Sequence, residues 1–148
     1  MSVVTSKRVV AATRGWIGTP YQHQASLKGV GTDCLGLLRG VWRELYGDEP
    51  ERVPAYTQDW SEPSKEERLL AAAARNLRPR KEGVRYVGDV LIFRMRTGSV
   101  AKHLGIQSEL GDVPKFIHAY SGHGVVENTF SEAWQSKLVA RFYFPRKV

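Results

Sequence analysis

Between residues 89 and 144 the chain is written in strands. "DVLIF", "HLGIQSE", "KFIHAY", "GVVE" and "LVARFYF" are short, rich in β-branched or aromatic residues, and separated by Gly, Asp or Pro. The residues before them have a different period. Positions 34 to 46 place Leu38, Val41, Trp42, Leu45 and Tyr46 at i, i+3, i+4, i+7 and i+8, one apolar helical face. Helices first and a meandering antiparallel sheet second define an α+β domain.

The spacing predicts a helix over 3–17, with Val4, Val9, Val10, Thr13, Trp16 and Ile17 on its apolar side. "GTPYQHQASLKGVG" then reads as a loop, and the second helix runs from Cys34 to Tyr46 with Thr32 or Asp33 as N-cap and Gly47 as terminator. A polar segment with Pro50, Pro54 and Pro63 leads to a short helix over 65–76, followed by the basic connector "RNLRPRKEGVR". Between the last two strands, Thr129 and Glu132 form a capping box for one more short helix.

The 148 residues suit a single domain, 1–148, with one sizeable core. No apolar run approaches the roughly 18 residues of a membrane span, and Lys7, Arg8 and Arg14 interrupt the N-terminal stretch, so no secretory core is expected there. A chain made in the cytoplasm, without membrane insertion, is the expectation. The lone cysteine agrees with that compartment. The net charge of +7 suits nucleic acid, anionic envelope polymers or an acidic protein partner. Without zinc-finger spacing, a Walker loop or a basic stripe interleaved with aromatics, a specific nucleic-acid function is not indicated, and a solvated basic surface accounts for the charge.

The cysteine, Cys34, falls in the first turn of the predicted second helix. Unpaired N–H groups and the positive end of the macrodipole favour thiolate there. With an imidazolium beside it, such a thiol is expected to fall from a pKa of about 8.5 to about 6.5, becoming a nucleophile at neutral pH. A small buried hydrophobe is the alternative reading. Two strand histidines weigh against it. His103 opens "HLGIQSE", and His118 shares a face with Phe116 and Tyr120 in "KFIHAY". Adjacent antiparallel strands bring facing side chains about 5 Å apart, so the rings can pair as base and orienter beside the cysteine helix. His23 and His123, in glycine-flanked loops, read as peripheral. The Cys34, His103, His118 spacing matches no compact zinc site, and no metal or organic cofactor is called for.

"GTPY", "TDCLGLLRGVWRELYG", "GDVLIF", "KHLGIQ" and "FIHAYSGHGVVE" together resemble the NlpC-type cell-wall cysteine peptidases over about residues 10 to 130. That resemblance implies a papain-like fold, with N-terminal helices and the cysteine helix packed on an antiparallel sheet. It implies Cys34 as nucleophile, His103 as general base and His118 as its orienter. Tyr21, of the "PY" pair, would help bind the oxyanion. Asp33 would cap the helix and bind the free amine of the substrate. The implied substrate is a peptidoglycan stem peptide, cut between D-glutamate and the diamino acid. Leu35 stands where many members carry serine, and "QHQASLKG" lacks the usual Trp-Gly-Gly, which leaves the exact bond and end-group preference open.

"DCLGLLRGVWRELYG" is most similar to the branch encoded by tailed phages and gene transfer agents. The expectation is a peptidase carried at the tail tip of a phage-like particle, docked on a hub or baseplate protein and acting in the periplasm or cell wall. Two alternatives stand beside it: a non-enzymatic tail hub or adaptor that retains the fold, and an amidase or acyltransferase acting on small amides.

Overall fold

The computed structural model describes residues 3–57 and 66–146. Pro63 and Lys65, named above for the polar segment and the helix start, lie outside them. Helix α1 spans Val3–Arg14. It stops short of residue 17 because the amides of Gly15, Trp16 and Ile17 reach back three residues, tightening the last turn, and Gly18 then takes φ +94°. The predicted loop contains a small antiparallel hairpin, β1 (Ser26–Leu27) with β2 (Gly31–Thr32). Helix α2 runs over Cys34–Tyr46, with Asp33 as N-cap and Gly47 as C-cap, as its local signals predict. Helix α3 covers Arg68–Asn76.

Six strands form one antiparallel sheet: β3 (Arg78–Pro79), β4 (Val90–Phe93), β5 (His103–Glu109), β6 (Lys115–Tyr120), β7 (Gly124–Thr129) and β8 (Leu138–Tyr143). Their order is β3-β8-β4-β5-β6-β7. The four strands from β4 to β7 meander, and β8 returns to pair with β4. The short helix α4 (Glu132–Gln135) lies between β7 and β8. Its cap is Ser131, whose hydroxyl accepts from the Trp134 amide; Thr129 is still the last residue of β7. The capping box expected from Thr129 and Glu132 therefore does not form, because the strand ladder holds that threonine, and a simple Ser131 cap two residues later takes its place.

Strand alternation gives the sheet two buried faces. Val90, Ile92, Leu104, Ile106 and Ile117 pack with Leu37, Val41 and Leu45 of α2 and Val9 of α1. Leu91, Phe93 and Phe116 form a second cluster with Phe130, flanked by Trp134 and Leu138. The basic connector also takes part in the fold. Arg80 is 2.9 Å from the Asp89 carboxylate and lies between the rings of Tyr86 and Tyr143, while Arg141 meets Asp89 at 3.1 Å. Buried carboxylates need such partners, so part of the basic excess is structural and only the rest is solvated. No helix among the described residues is long and apolar enough to cross a membrane.

Candidate active site

The start of α2 is held by its cap. Asp33 is 2% exposed; one carboxylate oxygen accepts the Gly36 amide at 2.7 Å, and the other accepts the Gln24 amide at 2.7 Å and the Tyr56 hydroxyl. His23 Nδ1 stands 3.8 Å from the second oxygen, and its Nε2 bonds the Tyr56 carbonyl at 2.9 Å. Gln24 has φ +64°, a left-handed conformation that turns its N–H onto the carboxylate. Gly36 is required by close approach: a Cβ there would lie 1.9 Å from the Ala25 carbonyl oxygen. The Tyr21 segment is tied to the same place by the Thr32 amide, which donates to the Pro20 carbonyl at 2.9 Å, and by the Gln22 amide, which donates to the Thr32 carbonyl at 3.0 Å.

Cys34 and His103 wall one cavity of about 190 Å³, together with Tyr21, His23, Asp33, Tyr56 and Lys102. The sulfur is 3.9 Å from the Lys102 carbonyl, at the mouth of β5. His103 Nε2 is 2.8 Å from His118 Nδ1, with ring centroids 5.0 Å apart. The two histidines pair as expected, though diagonally. Ile106 faces Ile117 and Gln107 faces Phe116, so the same register sets Gly105 across from His118. A Cβ at Gly105 would come within 2.7 Å of the Phe116 ring and 3.2 Å of the His118 Cβ. Glycine there leaves room for the Phe116 ring and the His118 side chain.

The ionisation of the thiol differs from the sequence expectation. Burial, and then the Asp33 carboxylate, push Cys34 up to about 12, against the lowering effect of the Leu104, Leu35 and Cys34 backbone amides. With Cys34 only 7% exposed, loss of water outweighs the helix start. Burial also pushes His103 down to about 3, with a smaller contribution from His118; His118 falls to about 4, mainly by burial. At neutral pH the sulfur and both imidazoles are thus uncharged. Burial raises the Tyr21 hydroxyl to about 12, helped by Cys34 and Asp33, which keeps it a hydrogen-bond donor.

Of the five residues singled out in the sequence, Cys34, His103, Tyr21 and Asp33 line the cavity, and His118 supports His103 from behind. Sequence reasoning missed Tyr56, which holds Asp33 from an aperiodic, proline-flanked segment, and counted His23 as peripheral although it lines the cavity. It also missed Trp134 and Asn128. Trp134 packs edge-on against His118 with centroids 5.1 Å apart. Asn128 Oδ1 is 2.6 Å from His118 Nε2. Extending the predicted "GVVE" strand by two residues would have put Asn128 on the face of Val126, which pairs with His118. Among the described residues, no group of three His, Cys, Asp or Glu side chains is arranged to hold a metal ion.

A cysteine-led helix against an antiparallel sheet is the architecture of the NlpC/P60 proteins, and the chain has that fold. It superposes on an NLP/P60-family protein of Staphylococcus aureus Mu50, described as similar to lipoprotein, with TM-score 0.63 and 19% identity; 99% of this chain and 43% of that one are covered. An NLPC/P60 family protein of Bacillus cereus ATCC 10987 matches with TM-score 0.63 and 17% identity, over 95% of this chain and 40% of the other. In sequence, the chain is 29% identical over 131 residues to the gamma-DL-glutamyl hydrolase of Bacillus subtilis strain 168; the match spans 88% of this chain and 27% of that relative. The chain thus spans less than half the length of each of these proteins. No family profile matches it.

Proposed function

We propose that the chain is a cysteine peptidase that hydrolyses an amide in peptidoglycan stem peptides, at the bond between D-glutamate and the diamino acid. The observation that carries this reading is the shared cavity of Cys34 and His103, with His103 bonded from behind by His118 at 2.8 Å. The kinship to a gamma-DL-glutamyl hydrolase supports the choice of bond.

The reaction starts from the neutral pair. His103 Nε2 is engaged by His118, so Nδ1 takes the thiol proton as sulfur bonds to the substrate carbonyl carbon. Coupling the two events passes the negative charge directly to the carbonyl oxygen, and a buried free thiolate never accumulates. The Tyr21 hydroxyl and the Cys34 amide at the helix start hold that oxyanion, each worth about 3 kcal/mol. Collapse breaks the C–N bond, His103 protonates the leaving amine, and a thioester remains. Water then attacks with His103 as base, and a second collapse releases the carboxylate and restores the thiol. Asp33 maintains the helix start and, in this reading, faces the amine of the substrate.

The likeness of "DCLGLLRGVWRELYG" to the phage and gene-transfer-agent branch supports a place on the tail of a phage-like particle, assembled in the cytoplasm on a hub or baseplate protein. The +7 charge suits contact with anionic envelope polymers.

Mass spectrometry of muropeptides after digestion tests the activity. Wild type is expected to release new amine ends at the D-glutamyl bond, while Cys34→Ala and His103→Ala release none and stay folded. His118→Ala should retain a residual rate, because an orienter contributes less than nucleophile or base. Absence of cleavage by wild type from pH 5 to 9 would reject the hydrolase and favour an adaptor.

A further inference from the structure

The hydrogen-bonded pair of histidines has two proton arrangements, and only one of them makes a base. We propose that Asn128 is a positioning residue that selects this arrangement, fixing the tautomer of His118 and, through it, that of His103. The proposal rests on the peptidase reading only for its kinetic consequences; the tautomers can be observed in the free protein.

The geometry runs diagonally across three strands. Phe116 of β6 pairs with Asn128 of β7, and His118 pairs with Val126, so all four side chains share one face. His118 leans along its strand, its ring centroid 4.3 Å from that of Phe116, and its Nε2 reaches Asn128 Oδ1 at 2.6 Å. On the other side its Nδ1 meets His103 Nε2 at 2.8 Å. Diagonal cross-strand neighbours are within reach of long or aromatic side chains.

The direction of every proton follows from the end of this chain. Asn128 turns its Oδ1, not its NH₂, toward the ring; an amide oxygen only accepts, so in this orientation His118 Nε2 carries the hydrogen and donates it. A neutral imidazole has one N–H, so His118 Nδ1 is then a bare acceptor. It can bond only to a protonated His103 Nε2. His103, also neutral, is left with a bare Nδ1, the lone pair needed to accept the thiol proton. In the reverse arrangement His118 donates from Nδ1, and His103 carries its hydrogen on Nδ1, where it cannot act as base. Nothing in the His103–His118 contact alone distinguishes the two; the inward-facing Oδ1 of Asn128 does.

The surroundings keep the relay neutral. His118 is fully buried. Phe116, Tyr120 and Trp134 pack around its ring, and the titratable neighbours are His103, Tyr120 and His123, the last stacked on Tyr120 with centroids 5.3 Å apart. A second proton on His118 would abolish the acceptor that orients His103, so exclusion of water and selection of the tautomer act together.

The test compares wild type, Asn128→Leu and Asn128→Asp. Asn128 is exposed at the end of β7, and circular dichroism establishes that each variant is folded. Long-range ¹H–¹⁵N correlation at pH 7.5 reads which ring nitrogen of His103 and His118 is protonated. Wild type and Asn128→Asp should both show Nε2–H on both rings. Asn128→Leu should show the Nδ1–H form or a mixture. In parallel, kcat/KM on muropeptides should fall about 10- to 100-fold in Asn128→Leu, less than the roughly 10⁴-fold seen when a triad tautomer is forced wrong. Asn128→Asp should restore most of that loss. Its carboxylate also favours a charged His118, so the acidic limb of its rate profile should move to higher pH.

Unchanged Nε2–H signals in Asn128→Leu, with wild-type kcat/KM, would overturn the proposal. So would an Nδ1–H tautomer in wild type. If the tautomers are as inferred but no muropeptide is cleaved by wild type, the peptidase reading fails and the tautomer assignment stands.

Discussion

Acidification from pH 7.5 to 5 should destabilise this protein steeply, and the histidine relay sets the amount. Burial holds His103 near 3 and His118 near 4 in the folded chain, against an unfolded value of about 6.5. Their folded values are depressed, so the stability they contribute is complete above pH 6.5 and is lost as the pH falls toward their folded values. Below 6.5 the unfolded chain takes up two protons that the folded chain refuses. Each contributes about 1.36 kcal/mol per pH unit, or about 2.7 for the pair. Between pH 6.5 and 5 the loss approaches about 4 kcal/mol, a large part of the roughly 5–15 kcal/mol that holds a domain folded. Glu49, Glu51 and Glu127 have values lowered by arginine and other partners, so they release their stabilisation at lower pH and do not confuse this window. Equilibrium urea unfolding followed by tryptophan fluorescence, at half-unit steps of pH, gives the slope directly. His118→Leu should reduce it to about one proton. A flat profile between pH 7 and 5, or a His118 ring that titrates near 6.5 by NMR in the folded state, would refute the claim that the relay is buried and neutral.

At the alkaline end the sign reverses for the thiol. Cys34 is raised to about 12, so its contribution is present below the unfolded value near 9 and lost as pH rises toward 12, by about 1.4 kcal/mol per unit. Cys34→Ala should flatten that limb in the same unfolding assay. Gly36→Ala, which in an open helix would stabilise by about 1 kcal/mol, should here destabilise by about 1–3 kcal/mol, because the new methyl would lie 1.9 Å from the Ala25 carbonyl oxygen. Thermal unfolding decides it. Asp33→Ala removes the helix cap together with the carboxylate oxygens that accept from the Gln24 N–H and the Tyr56 O–H; a loss of about 2–4 kcal/mol is expected from denaturant melts. Gln24→Gly relieves a left-handed residue but removes the bond from Gln24 Nε2 to the Tyr56 carbonyl, so stability should change by less than about 1 kcal/mol, against the clear loss of an ordinary Gln-to-Gly change.

Local chemistry made α2 legible from end to end. A carboxylate cap, an apolar face of period 3.6 and a terminal glycine all lie within fifteen residues of Cys34, and each acts through its neighbours in sequence. The core strands are legible for the same reason, since alternation needs no knowledge of the partner strand. The same local vision failed at Thr129, where two hydroxyl residues compete for one cap and the β7 ladder decides between them. It also read 15–17 as helix and the β3 segment as a solvated connector.

Residue order alone specified the fold class, a cysteine at a helix start, and two histidines on one face of neighbouring strands. The state of those groups was set by how the folded chain packs around them. Whether a thiol at a helix start is raised or lowered depends on how much water the folded chain leaves around it, and here burial exceeds the pull of the backbone amides. The partner of His118 depends on register between β6 and β7, which places Asn128 beside it although ten residues separate them in the chain. Desolvation and strand register are properties of many residues packed together, so no short stretch of sequence encodes either one.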